Sequence, residues 1–515
     1  MAFLSKVISF VANRTTRSIE YTLENAAEVN EKKLLSIMKA NQDTIYGREH
    51  GFDEISSADD FADRVPISTF KTMKPYLEEV YKKPDGKILT TDPVVWYVQT
   101  SGSTGHPKTL PVTKRGMKEW SKGSTATQMT FISSEPENSQ IFEGNIIMFG
   151  APAETGEHYG LPVGYMTGIA PKLGANFLFR RMIKPGPEVF NLTDMEEKMR
   201  QYALYTARLN VTVFAGITTL SLAFFRRMQS LYGPWLLDIF KNTKHEERIK
   251  ESMDSEGNLD IAQLWPSLRQ LVVTGIDTDP YREWISKTLP NTKPWEAYAG
   301  SEGYYGCQVY PDKGVFLLPE TNYFEFIPED EIDSPTPTVL PLADVKKNKR
   351  YEILITNAAG WYRYRIGDML TFDDVDPYIV KNIGRRGRVV NLTGEKVSDA
   401  HITEAISRAS QKTHCEVLDY AVVGLVEEGV PHYAVAAMFR DDEIDSVEFI
   451  GAFEEALCSA NREFGFGRNM GALGPSRLFR MTTSHSEAIV EMSHIQAKPR
   501  TLTTDRSVLA TCEAY

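Results

Sequence analysis

The chain has 515 residues, 42% of them apolar and 24% charged, and carries a net charge of −12. That length exceeds what one hydrophobic core normally serves, so two or more domains are expected, and the acidic balance disfavours a general binder of nucleic acid or of an anionic membrane. The four cysteines (Cys307, Cys415, Cys458, Cys512) form no CxxC pair, which indicates neither a zinc site nor a disulfide framework and fits a reducing, cytoplasmic compartment; no apolar run reaches the roughly 18 residues of a membrane span.

The N-terminus, MAFLSKVISFVANRTTR, is basic, with its first acidic residue at Glu20. Phe3, Leu4, Val7, Ile8 and Val11 recur at helical spacing, which predicts a docked amphipathic helix rather than a transit peptide. Residues 1–90 read as helical, with breaks at Pro66, Pro75 and Pro84. The run Asn30 to Met38 has an apolar stripe suited to packing on a larger body.

At Val94 the pattern changes. An apolar run ends in a loop, Thr100 to Lys108 (TSGSTGHPK), and a short strand from Thr109 to Val112 follows. Gly102 and Gly105 allow positive φ and close backbone approach. Turned N–H groups, the hydroxyls of Ser101, Ser103 and Thr104, and the Lys108 cation suit phosphate oxygens. The loop is not a Walker motif, because Pro107 separates Gly105-His106 from Lys108. An ordinary Ser/Gly/Thr turn has the same composition.

From Val94 to about Arg385, apolar runs alternate with helical stretches. Strands are expected at Asn145–Phe149, Val211–Phe214, Leu271–Val273, Tyr351–Thr356 and Met369–Phe372, which predicts an α/β body with mixed sheets and helices. Lys241 to Met253 reads as a polar, solvated helix. Beyond Arg388 shorter units restart, with strands at Val389–Leu392, Leu418–Gly424 and His432–Phe439 and helices at Ala400–Ser410 and after Asp445. The expected division is a large domain, 1–386, and a small mobile α+β domain, 387–515.

Four further motifs carry candidate chemistry. In Trp295 to Gly303 (WEAYAGSEG) a strand-like segment ends in Tyr298, Ser301 and Glu302. Tyr298 could stack on a purine, Ser301 could bond a phosphate oxygen and Glu302 could give Mg²⁺ a hard oxygen ligand. The same stretch reads Ala-x-Ser-x-Gly, one residue from the hydrolase elbow, so a nucleophilic Ser301 stays open. In Ala359 to Asp368 (AGWYRYRIGD), Asp368 next to a glycine could accept two ribose hydroxyls, or simply end a strand. Gly384 to Val397 lies at the domain boundary. Gln496 to Arg500 (QAKPR) ends the series.

In this order, over residues 97 to 500, the motifs resemble those of adenylate-forming enzymes: acyl-CoA synthetases, peptide-synthetase adenylation domains and luciferases. Within that superfamily the chain looks most like the Gretchen Hagen family of acyl-acid amido synthetases, known from plants as auxin-responsive promoter proteins. The family's tyrosine-x-serine-serine-glutamate motif is similar to Tyr298-Ala-Gly-Ser-Glu302, its tyrosine-arginine-x-glycine-aspartate motif to Tyr364 to Asp368, and its C-terminal lysine element to Lys498-Pro499-Arg500. The segment Gly160 to Gly168 (GLPVGYMTG) has the family's character as well.

The resemblance implies ATP and Mg²⁺ as cofactors, with a small carboxylic acid and an amine, an amino acid, as substrates. It implies that Ser101, Ser103 and Thr104 contact ATP phosphates. Thr274, Gly275 and Ile276 would border the adenine, with Tyr298 stacked on it. Ser301 would hold the α-phosphate and Glu302 the metal. Arg365 and Asp368 would lie at the ribose end, Arg385 would match the superfamily's ribose-binding arginine, and Lys498 would reach the reacting carboxylate. The chain departs from the pattern at Gly300, where the family has serine, and at Gly387, Arg388 and Asn391 in the hinge. The acyl pocket is expected from Phe149–Ile169 and Phe214–Leu220. An acyl-CoA ligase, a serine hydrolase using Ser301 and an inactive binding scaffold are the rival readings. His106 and His158 are candidates for the base that deprotonates the amine.

Overall fold

The computed structural model describes residues 2–100, 108–174, 177–216, 218–274, 282–385, 389–390, 392, 395, 397–427, 430–441, 443–469, 473–481, 501–510 and 512–515. The apolar runs become strands of a mixed sheet, twelve-stranded among the described residues. One half is parallel: Ile183–Lys184, Asn145–Phe149, Val211–Gly216, Gln270–Val273 and Lys293–Ala299 lie side by side. Val211–Gly216 is buried throughout, as expected of a parallel strand covered on both faces. Phe214 packs with Tyr202, Phe224 and Trp265, while Val213 packs with Phe131 and Trp295 on the opposite face.

The other half is antiparallel, from Tyr304–Gln308 through Val315–Leu317, Tyr378–Arg385, Tyr364–Val375 and Arg350–Thr356 to Tyr323–Pro328 and Leu340–Pro341. The expected strand at Met369–Phe372 is thus the middle of a longer one. A separate sheet, four-stranded among the described residues, holds Val94–Gln99 paired with Thr109–Thr113. In the C-terminal region a sheet, five-stranded among the described residues, is built around the hairpin Val417–Glu427 and Val430–Phe439, with helices Asp399–Thr413 and Ser446–Ala460 beside it. Asp445 caps the second helix by accepting from Val447 and Glu448 N–H. Glu416 accepts from Lys287, outside that region, at 2.9 Å and from Arg440, just past the hairpin, at 2.7 and 2.9 Å.

The N-terminal third differs from expectation in detail. Helix Ala2–Glu24 forms, and its docked stripe is Ile8, Ala12, Thr16, Ile19 and Leu23, while Val7, Phe10 (68% exposed) and Val11 face solvent. Helical spacing found the helix and, in Ile8, only part of its contact face, because apolar residues run around more than one side. The side chains of Phe3 and Leu4 lie outside the described residues. Pro75 does not break the chain; it lies inside helix Phe70–Lys82, whose Met73, Leu77 and Val80 are buried. Burial of that face outweighs one missing hydrogen bond. Helix Ala26–Asn41 buries Asn30, Leu34, Ile37 and Met38. The polar stretch from Lys241 contains only a short helix, Glu246–Glu251, anchored by buried Ile249.

Arg363 ties the N-terminal helices to the sheet. It has a φ of 44° and is buried. Its guanidinium donates to Glu325 at 3.0 and 3.3 Å and to the carbonyls of Ala62 and Val65 at 2.8 and 2.9 Å. Its own carbonyl accepts from Ser68 N–H at 2.9 Å. Removing one partner of such a pair strands a buried charge and two carbonyls. Arg363→Ala is therefore expected to cost about 3–5 kcal/mol in urea denaturation; a loss below about 1 kcal/mol would show that the pair is not structural.

Candidate active site

In open sheets with parallel strands, ligands bind beyond the carboxyl ends of those strands. Here Phe149, Gly216, Val273 and Ala299 end at one edge. Gly216 has a φ of 157°, and a Cβ there would lie 2.0 Å from the Phe149 carbonyl oxygen, so only glycine permits this close approach. Thr274 follows its strand and is clasped by Thr218, whose hydroxyl accepts from Thr274 N–H at 2.8 Å and donates to Thr274 C=O at 2.9 Å. Gly275 and Ile276, expected beside it, lie outside the described residues.

Strands Lys293–Ala299 and Tyr304–Gln308 pair antiparallel, and Gly300 to Gly303 is the turn between them, closed by Gly300 N–H to Gly303 C=O at 2.8 Å. The turn presents Ser301 and Glu302. Polar side chains hold its backbone. Asn357 donates to the Glu302 carbonyl at 2.8 Å and to Asn322 Oδ1 at 3.1 Å. Asn322 donates to the Tyr304 carbonyl at 2.7 Å, and Asn30, from the second helix, donates to the Asn322 carbonyl at 2.8 Å. On the other side Trp120 Nε1 donates to the Gly300 carbonyl at 3.3 Å.

Trp120 lies on helix Lys114–Ser134, capped by Thr113 at the end of the strand that leaves the Thr100–Lys108 loop. One helix therefore links the hydroxyl-rich loop to the Ser301–Glu302 turn. Thr100 N–H donates to Lys108 C=O at 2.9 Å, and Lys108 N–H donates to the Thr100 hydroxyl at 3.1 Å, closing the loop's base. Lys108 Nζ rests 5.2 Å from the centre of the Phe70 ring. Ser101, Ser103, Thr104 and His106 lie outside the described residues, as does Lys498.

The structure brings the second and third motifs together. Tyr298 donates to Asp368 Oδ2 at 3.0 Å. The ladder between Arg350–Thr356 and Tyr364–Val375 slips between the pairs Leu354–Arg365 and Glu352–Met369; this irregularity, with Gly367 at φ 83°, is where Asp368 leaves the regular strand alternation. Asp368 also lies opposite Arg385 in the neighbouring strand, which places the start of the fourth motif beside the third; the Arg385 side chain lies outside the described residues. Arg365 has other partners than those expected. Its guanidinium donates to both Glu352 carboxylate oxygens and, at 2.8 Å, to the Ile332 carbonyl, so it braces the strand that carries Asp368.

A cleft with an empty volume of ≈ 400 Å³ opens beside Ser301 and Glu302, lined also by Thr113, Met117, Trp120 and Met166. Of the two segments expected to build an acyl pocket, only Met166 reaches this cleft. The sequence reading missed Trp120, Asn322 and Asn357, since single polar residues in a long chain carry no motif. His158 sits among the rings of Tyr81, Tyr97 and Tyr159. No helix among the described residues is long and apolar enough to cross a membrane.

Ser301 does not have the setting of a hydrolase nucleophile. The elbow requires strand, sharp turn and helix, whereas Ser301 stands in a strand–turn–strand hairpin. Among the described residues no histidine is hydrogen-bonded to it.

Lys198 was also missed. It is fully buried, with Nζ donating to the carbonyls of Gly150 and Phe190 at 2.6 and 2.8 Å. It thus fastens the loop that follows strand Asn145–Phe149 at the ligand edge. Burial lowers its pKa to about 7; a neutral amine has the two N–H groups those carbonyls need.

Comparison with known proteins gives a consistent picture. The model of the GH3 family N-terminal domain matches residues 15–232, and that of the GH3 family central domain matches residues 315–381. The chain is 24% identical over 448 residues to the indole-3-acetic acid-amido synthetase GH3.3 of Arabidopsis thaliana, covering 77% of this chain and 73% of that protein. It is 24% identical over 484 residues to the jasmonoyl–L-amino acid synthetase JAR4 of Nicotiana attenuata, covering 84% and 82%. Among solved structures, the GH3.15 acyl acid amido synthetase superposes with a TM-score of 0.76 at 17% identity, over 95% of this chain and 94% of that one.

The Lys198 site gives a pH test. Between pH 7 and the ordinary lysine range the unfolded chain binds one more proton than the folded one, so stability should rise with pH there, by up to about 1.4 kcal/mol per unit. Relative to Lys198→Met, the wild type should gain stability between pH 7 and pH 9 in chemical denaturation. A constant difference across that window would mean that the buried amine stays charged.

Proposed function

The chain belongs to the GH3 family, and we propose that it is an ATP-dependent acyl-acid amido synthetase, a ligase that forms a carbon–nitrogen bond through an acyl-adenylate. The observation that carries this reading is the convergence of Tyr298, Glu302 and Asp368 at the carboxyl edge of the parallel strands, joined by one helix to the base of the Thr100–Lys108 loop.

A carboxylate oxygen of the acid attacks the α-phosphorus of ATP, and the bond to pyrophosphate breaks. The amine nitrogen of an amino acid then attacks the acyl carbon, and AMP leaves with the electron pair of the carbon–oxygen bond. Tyr298 offers a ring to the adenine, next to Thr274, Gly275 and Ile276, while its hydroxyl fixes the Asp368 carboxylate that accepts the ribose hydroxyls. Arg365 acts by holding the strand of Asp368, and Arg385 enters from the neighbouring strand. Ser101, Ser103, Thr104, Lys108 and Ser301 surround the phosphates, and Lys498 approaches the reacting carboxylate from residues 387–515, which act as a lid that excludes water from the adenylate.

The donor chemistry at the turn suits magnesium. Among the described residues no cluster of three or more His, Cys, Asp or Glu side chains could hold a metal, and Mg²⁺ in nucleotide sites binds through one or two carboxylates together with phosphate oxygens. Glu302 would be that carboxylate; when bound, the ion would offset charge on the phosphates. Free thiols at Cys307, Cys415, Cys458 and Cys512 fit a reducing, cytoplasmic setting. The two relatives are named for an indole acid and for jasmonate, so family membership does not select the acid.

Pyrophosphate release from ATP-Mg, measured with a panel of carboxylic acids with and without amino acids or coenzyme A, tests the reading. Acid-dependent release with an amide product is expected; a thioester product would make the chain an acyl-CoA ligase, and no release with any acid would overturn adenylation. Glu302→Gln should lower the release rate roughly 10²–10³-fold while leaving metal-free ATP binding within a few-fold. An unchanged rate would remove Glu302 from the reaction.

A further inference from the structure

Tyr305 has no role in the mechanism above, yet it underlies the whole turn. It is buried on the strand that leaves the turn. A Cβ added to Gly303 would lie 3.1 Å from Tyr305 Cε1. One added to Gly300 would lie 2.8 Å from Tyr305 Oη, 3.4 Å from Cε2 and 3.2 Å from Glu302 Oε2. The phenolic oxygen and the Glu302 carboxylate therefore border the same small space, the space that a side chain at residue 300 would fill.

We propose that Tyr305 is a positioning residue for Glu302, and that its hydroxyl occupies the place left open by Gly300, where the resemblance expects a serine. The inference rests on the role given to Glu302 above. A tyrosine is suited to this task. Its ring has few rotamers and is clamped under the turn, so the hydroxyl is held at a fixed point on the border of the space that the acceptor-only Glu302 carboxylate also borders. The same ring stands at 62° to Tyr298, with centroids 4.8 Å apart, and Tyr298 in turn bonds Asp368. One buried side chain thus supports both the metal-binding and the ribose-binding end. Gly300 and Tyr305 form a matched pair: any Cβ at 300 competes with Oη for the same volume, whereas serine at 300 with phenylalanine at 305 returns a hydroxyl to the space from the other side.

The test is a cycle of wild type, Tyr305→Phe, Gly300→Ser and the double variant. The readouts are pyrophosphate release, the Mg²⁺ concentration that half-saturates binding of a fluorescent ATP analogue, and Tm. Tyr305→Phe should lower the release rate about tenfold and raise the Mg²⁺ requirement several-fold, with Tm little changed. Gly300→Ser should lose at least tenfold in rate and also lower Tm. The double variant should return to within about threefold of wild type in rate and Mg²⁺ requirement and regain the lost Tm. Single-variant losses that simply multiply in the double variant, or a Tyr305→Phe protein equal to wild type in Mg²⁺ requirement, would overturn the pairing. If the wild type releases no pyrophosphate with any acid, the function proposed above fails; the nucleotide-affinity and Tm cycles would still decide whether residues 300 and 305 share one space.

Discussion

The arrangement depends on a chain of buried amide hydrogen bonds. Asn30, Asn322 and Asn357 link a helix near the N-terminus, the strand after Thr321 and the turn before Trp361, and the chain ends on the Glu302 carbonyl. All three side chains are buried. A buried amide network is costly when half satisfied and rigid when complete. Here it fixes a four-residue turn from below while Trp120 holds it from above, so the carboxylate and hydroxyl of the turn are set before any ligand arrives. That pre-organisation is what a site stabilising developing charge on phosphate requires.

Around this clamp, charged groups that look catalytic serve the scaffold. The segment Trp361 to Asp368 contains two arginines and one aspartate, and they divide the work. Arg363 closes on Glu325 and two carbonyls of the N-terminal region. Arg365 closes on Glu352. Only Asp368, placed past the irregularity at Gly367, meets Tyr298. The spacing of the motif thus reflects where the strand must stop being regular.

Much of this was legible in the sequence. Continuous apolar runs such as Asn145–Phe149 and Val211–Phe214 marked buried strands, which the structure pairs in parallel with both faces covered, so no alternation is needed. The hairpin flanking Thr100–Lys108 followed from the apolar-to-glycine switch. The candidate residues Tyr298 and Asp368, 70 positions apart, were singled out by local chemistry, and their contact is a tertiary fact that no local pattern encodes. The asparagine clamp, Trp120 and Lys198 were invisible for the same reason: each is one residue whose meaning comes from distant carbonyls. The contact face of the first helix was read only in part, at Ile8, because its apolar residues surround it, and Pro75 was misread because burial of Leu77 and Val80 outweighs one lost hydrogen bond.

The most direct measurement is a crystal structure of the protein with Mg²⁺ and a non-hydrolysable acyl-adenylate analogue. The account predicts the adenine against Tyr298, the ribose hydroxyls on Asp368 with the Tyr298–Asp368 bond retained, the phosphate facing Ser301, and the Gly300–Gly303 turn unmoved on its asparagine clamp. A nucleotide bound away from the carboxyl edge of the parallel strands, or a turn that rebuilds to receive it, would contradict the claim that this rigid turn is the centre of the reaction.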